Sequence, residues 1–280
     1  MKRLLTALLL ACAVLCGSAC GKREPNKIDR DALTETGTGT GASDAGSDHT
    51  QLPVYHPLRI EKASKWDGII QTVASDEQVF TFSHGLGTEE EPFLLTDAED
   101  LARFAANVRY AGTPGTIGQE LTRYDGVHFR LECDIDLQGQ PWIGIGGGGT
   151  VWDDATLFAG VFDGNGHVIY NFAPENRRMN GFFSEIGRGA VIKNLCIASG
   201  SVRVRSGEAM GLLAAGVRYG ATIENCTIRM GLAAGSGVEE ILVGAVGTSM
   251  DGAMVFRNCD FSGTKLNGKA YDLPEVAKIN

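Results

Sequence analysis

A chain of 280 residues with a formal net charge of −9 can bury a substantial core, as one large domain or two small ones. Its 34 acidic against 25 basic residues argue against nucleic acid as a partner, because phosphate contacts need clustered Lys and Arg. The 38 glycines, roughly double the usual share, suit many tight turns between short strands.

Residues 1–19 read as an export signal. Lys2 and Arg3 start it, and the apolar run from Leu4 to Leu15 is too short for an ordinary membrane-spanning helix. Gly17-Ser18-Ala19 then lead to Cys20. This end resembles a bacterial lipoprotein signal, although that pattern prefers Leu where Gly17 stands. The resemblance implies a lipid on Cys20 and a membrane as partner through that lipid. Because Gly21 rather than Asp follows the cysteine, it also implies an envelope address at the outer membrane or cell surface. Simple secretory cleavage is the alternative. Residues 20–50 have almost no bulky apolar side chains, so they cannot offset their chain entropy and should form a disordered tether after Cys20.

Residues 51–95 carry a weaker signal, with a candidate strand at Val79-Phe80-Thr81-Phe82 and an acidic, solvated loop at Glu89 to Glu91. Thr96-Asp97-Ala98-Glu99 then reads as a capping box opening a helix. Leu101, Phe104, Ala105 and Val108 follow at helical spacing, and Gly112 with Pro114 ends the element. One apolar face means the helix lies on something. Placed before a stack of strands, it would cover the stack's end.

From Val127 to Leu137 the period becomes two, which predicts one strand with a buried face. Glu132, Asp134 and Asp136 share the opposite face and read as solvated acids. Asp134 and Asp136 are also candidate ligand-binding carboxylates, as a general acid and base or as calcium ligands. No complete calcium loop and no Cys/His zinc spacing accompanies them, so neither a metal nor a cofactor is expected.

Downstream an apolar-x-Asn-apolar pattern recurs at Asn171, Asn194, Asn225 and Asn258, separated by 23, 31 and 33 residues. Such a period signals stacked repeats. Apolar alternation slips by one at each asparagine. That slip predicts a corner, where asparagine tolerates the left-handed conformation and its amide can bond along the stack. Cys226 and Cys259 fall on equivalent inward positions as small core residues poorly placed for a disulfide. Cys196 falls outward, as the best candidate for a reactive thiol.

The ordered series PFLLTDAEDLARFA, FRLECDIDL, PWIGIG and FAGVFDGNGHVIYNF, with the later blocks Gly181-Phe182-Phe183-Ser184 and Gly211-Leu212-Leu213-Ala214, resembles GLUG-motif, adhesin-like surface proteins of bacteria. The resemblance covers residues 87–262. It implies an all-β fold, a right-handed parallel β-helix over residues 96–264 with an N-terminal capping α-helix. Residues 265–280 read as a polar tail able to fold over the last turn. The resemblance also implies a non-catalytic role in adhesion, or in binding a glycan or protein. Trp142 and the loop Gly146 to Gly149 are the candidate contacts for a sugar, with burial of Trp142 in the core as the alternative reading of that residue. A polysaccharide-active enzyme built on Asp134, Asp136, Asp163 and His167 is the alternative, and an assembly scaffold is a third.

Overall fold

The computed structural model describes residues 52, 57–69, 82, 84–110, 124–147, 156–174 and 181–279. The leader, Cys20, the tether, most of the strand expected at 79–82, and Gly112 with Pro114 lie outside the described residues. The fold is an all-β parallel β-helix of about five turns, with a single α-helix among the described residues. Among the described residues every pairing between strands is parallel except the short hairpin of Lys265–Leu266 with Lys269–Ala270.

Three sheets form the walls. The seven-stranded sheet stacks Ser64–Lys65, Ile135–Asp136, Val168–Tyr170, Cys196–Val204, Thr227–Ala234 and the hairpin. The six-stranded sheet runs Phe93–Leu95, His128–Leu131, Val161–Asp163, Ala190–Lys193, Ala221–Glu224 and Met254–Arg257. The four-stranded sheet runs Phe183–Gly187, Met210–Arg218, Val243–Met250 and Val276–Ile279.

Like residues stack inward along these walls. Phe93, Phe129, Phe162, Ile192, Ile223 and Phe256 are level in the six-stranded sheet. Ile135, Ile169, Ile197 and Ile228 are level in the seven-stranded one, each fully buried. Burying each such side chain is worth about 1.5–3 kcal/mol, so the columns supply most of the drive to coil.

The helix spans Ala98–Tyr110 and closes the first turn. Leu101, Phe104, Ala105 and Val108 are fully buried, and the Phe104 ring lies 4.4 Å from Phe129. Its cap differs from the expected box. The Asp97 carboxylate accepts from the Asp100 N–H, and Asp100 reaches back to the N–H and hydroxyl of Thr96. Glu99 instead pairs with Arg103 one turn on. The Ala98 N–H donates to the Ser64 hydroxyl, 34 residues earlier, a partner that no local pattern could supply.

Two further expectations change. Val127 to Leu137 is not one strand: His128–Leu131 and Ile135–Asp136 belong to different sheets. From Phe129 to Ile135 is six positions, an even step, so alternation runs unbroken through that corner and hides it. Later turns go from Ile192 to Ile197 in five positions, and the odd step produces the slip seen at asparagine. The tail does fold over the last turn, and it does so as strands. Residues 265–266 and 276–279 add strands to two walls, so the boundary expected at 264 falls inside the coil.

Candidate functional site

Asn194, Asn225 and Asn258 turn the chain between the six- and seven-stranded sheets, at φ of 54°, 52° and 47°. Their amides form a ladder, with Asn258 donating to Asn225 at 2.7 Å and Asn225 to Asn194 at 3.0 Å. The ladder begins on a carboxylate, because Asn194 donates to Asp163 at 2.9 Å. Asn171 does not belong to it. Its φ is also left-handed, 53°, but Tyr170 is level with Ala198. Asn171 therefore sits at the next corner of the coil, level with Ser199, and donates to Asp136 at 2.8 Å. The shared four-residue pattern placed it one corner out of register.

Asp134 and Asp136 are not solvated; they are 8% and 6% exposed. A strap covers them. The 3-10 helix Pro57–Lys62 and strand Ser64–Lys65 run alongside Ile135–Asp136. Ile60 and Ala63 pack on the outward side chains Val168, Tyr170, Cys196 and Ala198. Asp134 accepts from Arg59 at 2.7 Å, from the Val168 N–H at 3.2 Å, and contacts His167 Nδ1 at 2.9 Å. Burial alone would raise its pKa, but the His167 hydrogen bond, the Arg59 guanidinium and the Val168 N–H together hold it below the usual carboxylate range. Asp136 accepts from the Gln138 N–H and the Asn171 amide. Both acids thus fasten the first turns of the coil.

An Asp–His contact such as Asp134–His167 orients the base in a Ser-His-Asp triad, but a triad also needs a nucleophile beside the imidazole. The thiol nearest in the sheet, Cys196, is fully buried beneath the strap, and burial pushes it up to about 12. That is the opposite of an activated nucleophile, so Cys196 is not the reactive thiol its outward position suggested. Cys226 and Cys259 are free, with their thiols directed at the carbonyls of Ile192 and Ile223. Among the described residues no group of His, Cys, Asp and Glu is placed to hold a metal ion.

For Trp142 the buried alternative holds, and the ligand-contact reading is corrected. It is 1% exposed, edge-on to Trp66 at 5.3 Å and stacked on Phe182, and its indole N–H donates to the Phe182 carbonyl. It cannot receive a sugar ring.

The exposed aromatic lies elsewhere. Among the described residues three large apolar side chains stand out from the surface, Ile69, Leu86 and Tyr219, and Tyr219 is 44% exposed. It occupies the corner from the four- to the six-stranded sheet, where the chain repeats x-Gly-Ala as Arg188-Gly189-Ala190, Tyr219-Gly220-Ala221 and Asp251-Gly252-Ala253. Arg188, Tyr219 and Asp251 all have left-handed φ, of 51°, 63° and 52°. A Cβ on Gly220 would lie 2.7 Å from the Ala253 carbonyl oxygen, so glycine is required there and the residue before it carries the side chain. The Arg188 guanidinium lies 4.8 Å from the Tyr219 ring centroid, a cation–π contact. Arg218 is level with Met250, which puts Asp251 on the neighbouring turn beside Tyr219. The x position before Gly-Ala is the signal that could have marked this ridge in the sequence, since a bulky side chain there points away from the core.

No family model and no solved structure matches the chain. It is similar to a protein of Evansella cellulosilytica described as a Gly-rich membrane protein, 31% identical over 153 residues. The match covers 54% of this chain and 16% of that protein.

Proposed function

We propose that this is a non-catalytic cell-envelope lipoprotein, anchored through Cys20, whose GLUG-like β-helix binds a surface ligand along the Arg188–Tyr219–Asp251 ridge. The observation that carries the proposal is Tyr219. A half-exposed aromatic ring held by a stacked guanidinium, with a carboxylate on the next turn, offers a face for a sugar ring and polar groups for its hydroxyls. The acids that a catalytic reading would use are engaged structurally, Asp134 with Arg59 of the strap and Asp136 with the Asn171 amide of the next turn. The leader pattern and the membrane description of the Evansella relative support an envelope location.

Glycan and protein arrays probed with the full chain test the binding role. Saturable binding of a glycan, lost in Tyr219→Asn and without hydrolysis of the ligand, supports it. Turnover of a polysaccharide that disappears in His167→Ala would replace it with the enzyme reading. Metabolic labelling with a fatty-acid analogue tests the anchor; label that persists in Cys20→Ser would remove that part.

A further inference from the structure

Two of the three walls are continued beyond the last full turn. The seven-stranded sheet finishes in the Lys265–Ala270 hairpin, and the four-stranded sheet gains Val276–Ile279. The six-stranded sheet stops at Met254–Arg257, and among the described residues no strand pairs with its outer edge. The Arg257 carbonyl accepts from the Asn225 N–H at 3.0 Å, so Arg257 addresses the inner neighbour. Alternation along a parallel strand then turns the N–H and C=O of Phe256 toward the open side. Met254, Val255 and Phe256 are half-buried, and the Arg257 side chain is 62% exposed.

The column ending in Arg257 defines what would fit next. Arg130, Asp163, Lys193, Glu224 and Arg257 are level on successive turns, and the sign reverses at every step. Lys193 lies 3.6 Å from Asp163, and Arg257 lies 3.7 Å from Glu224. Opposite charges on directly facing strand residues attract and like charges repel. A column that alternates and ends on a cation favours an acid at the next position.

We propose that the outer edge of Met254–Arg257 is a docking site for an extended peptide segment of a partner protein. The segment adds as a parallel strand, with an acidic side chain level with Arg257 and a bulky apolar one level with Phe256. Backbone hydrogen bonds supply affinity, while the charge and the apolar contact set direction and register. A second copy of this chain fits less well, because Met254-Val255-Phe256-Arg257 carries no acid and edge-to-edge pairing supplies no counter-charge. This edge shares no residue with the Arg188–Tyr219–Asp251 ridge, and its test reads Arg257 rather than Tyr219, so either proposal can fail without the other.

The chain holds a suitable probe. In Ala221–Ile228, Ile223 is level with Phe256 and Glu224 with Arg257. A synthetic peptide of that sequence with Cys226→Ser should bind the full chain saturably, read by fluorescence anisotropy. Reversing the peptide charge with Glu224→Lys should weaken binding roughly three- to tenfold, the effect of exchanging an opposed for a like cross-strand pair. N-methylation of alternate backbone amides should abolish it. In the Arg257→Glu chain the preference should invert, and in Arg257→Ala it should vanish; melting curves verify that both variants are folded. No saturable binding, equal binding of the two peptides by the native chain, or a preference unchanged in Arg257→Ala would overturn the proposal. So would a concentration-dependent dimer that the probe fails to compete, which would assign the edge to a second copy.

Discussion

Asn225 donates its side-chain amide to Oδ1 of Asn194 at 3.0 Å across one turn of the coil, and accepts from Asn258 at 2.7 Å on the other side. Asn194 and Asn225 each both donate and accept, so the corner is bonded along the coil axis as well as through its strands. Asn225→Leu removes two hydrogen bonds and forces a branched residue to a φ of 52°, which should cost about 2–4 kcal/mol. Asn225→Gly loses the bonds but not the conformation and should cost less. Chemical denaturation of both variants reads the difference; equal losses would show that backbone strain contributes nothing.

Acid should loosen the strap. Asp134 has its pKa lowered in the folded state, so its contribution is fully present above the ordinary carboxylate value of about 3.9 and is lost as pH falls through the lower folded value. Melting temperature should therefore drop more steeply below pH 4 in the native chain than in Asp134→Asn. Asp260 is also lowered, through its Ser262 hydrogen bonds, and it remains in both chains, so the comparison isolates Asp134. Parallel curves would show that the Arg59–Asp134–His167 cluster does not hold the strap.

Thiol reactivity reports the same strap from beneath. Burial has pushed Cys196 up to about 12, and it also raises Cys226. Neither should react with iodoacetamide at neutral pH until the chain is denatured, as mapped by mass spectrometry. Rapid labelling of Cys196 in the native chain would mean that residues 57–65 lift away.

Tyr219→Asn should leave stability within about 0.5 kcal/mol, as expected for a surface position where asparagine accepts the left-handed backbone. Any glycan binding by the chain should nonetheless fall to background. A large loss of stability would make Tyr219 a structural residue instead of a contact.

Local spacing in the chain was enough to establish the stacked repeats, the inward apolar columns, the helix that meets them, and the corners at Asn194, Asn225 and Asn258. Each of these depends on residues within a few positions of one another, and an odd step between inward residues has to appear as a break in alternation. The pattern was silent at Glu132–Asp134 because an even step leaves no break, and it misled at Asn171 because two different corners share four-residue chemistry. Only the tertiary structure decided which outward positions meet water. Asp134, Asp136 and Cys196 alternate outward like any exposed strand residues, yet a segment about 70 residues upstream of the two acids lies across them. Trp142 is sealed by Trp66 and Phe182. Tyr219 stays in water because nothing described packs over its corner beyond the Arg188 side chain. Period records which way a side chain points from its own strand; whether something covers it depends on segments that meet only when the coil is closed.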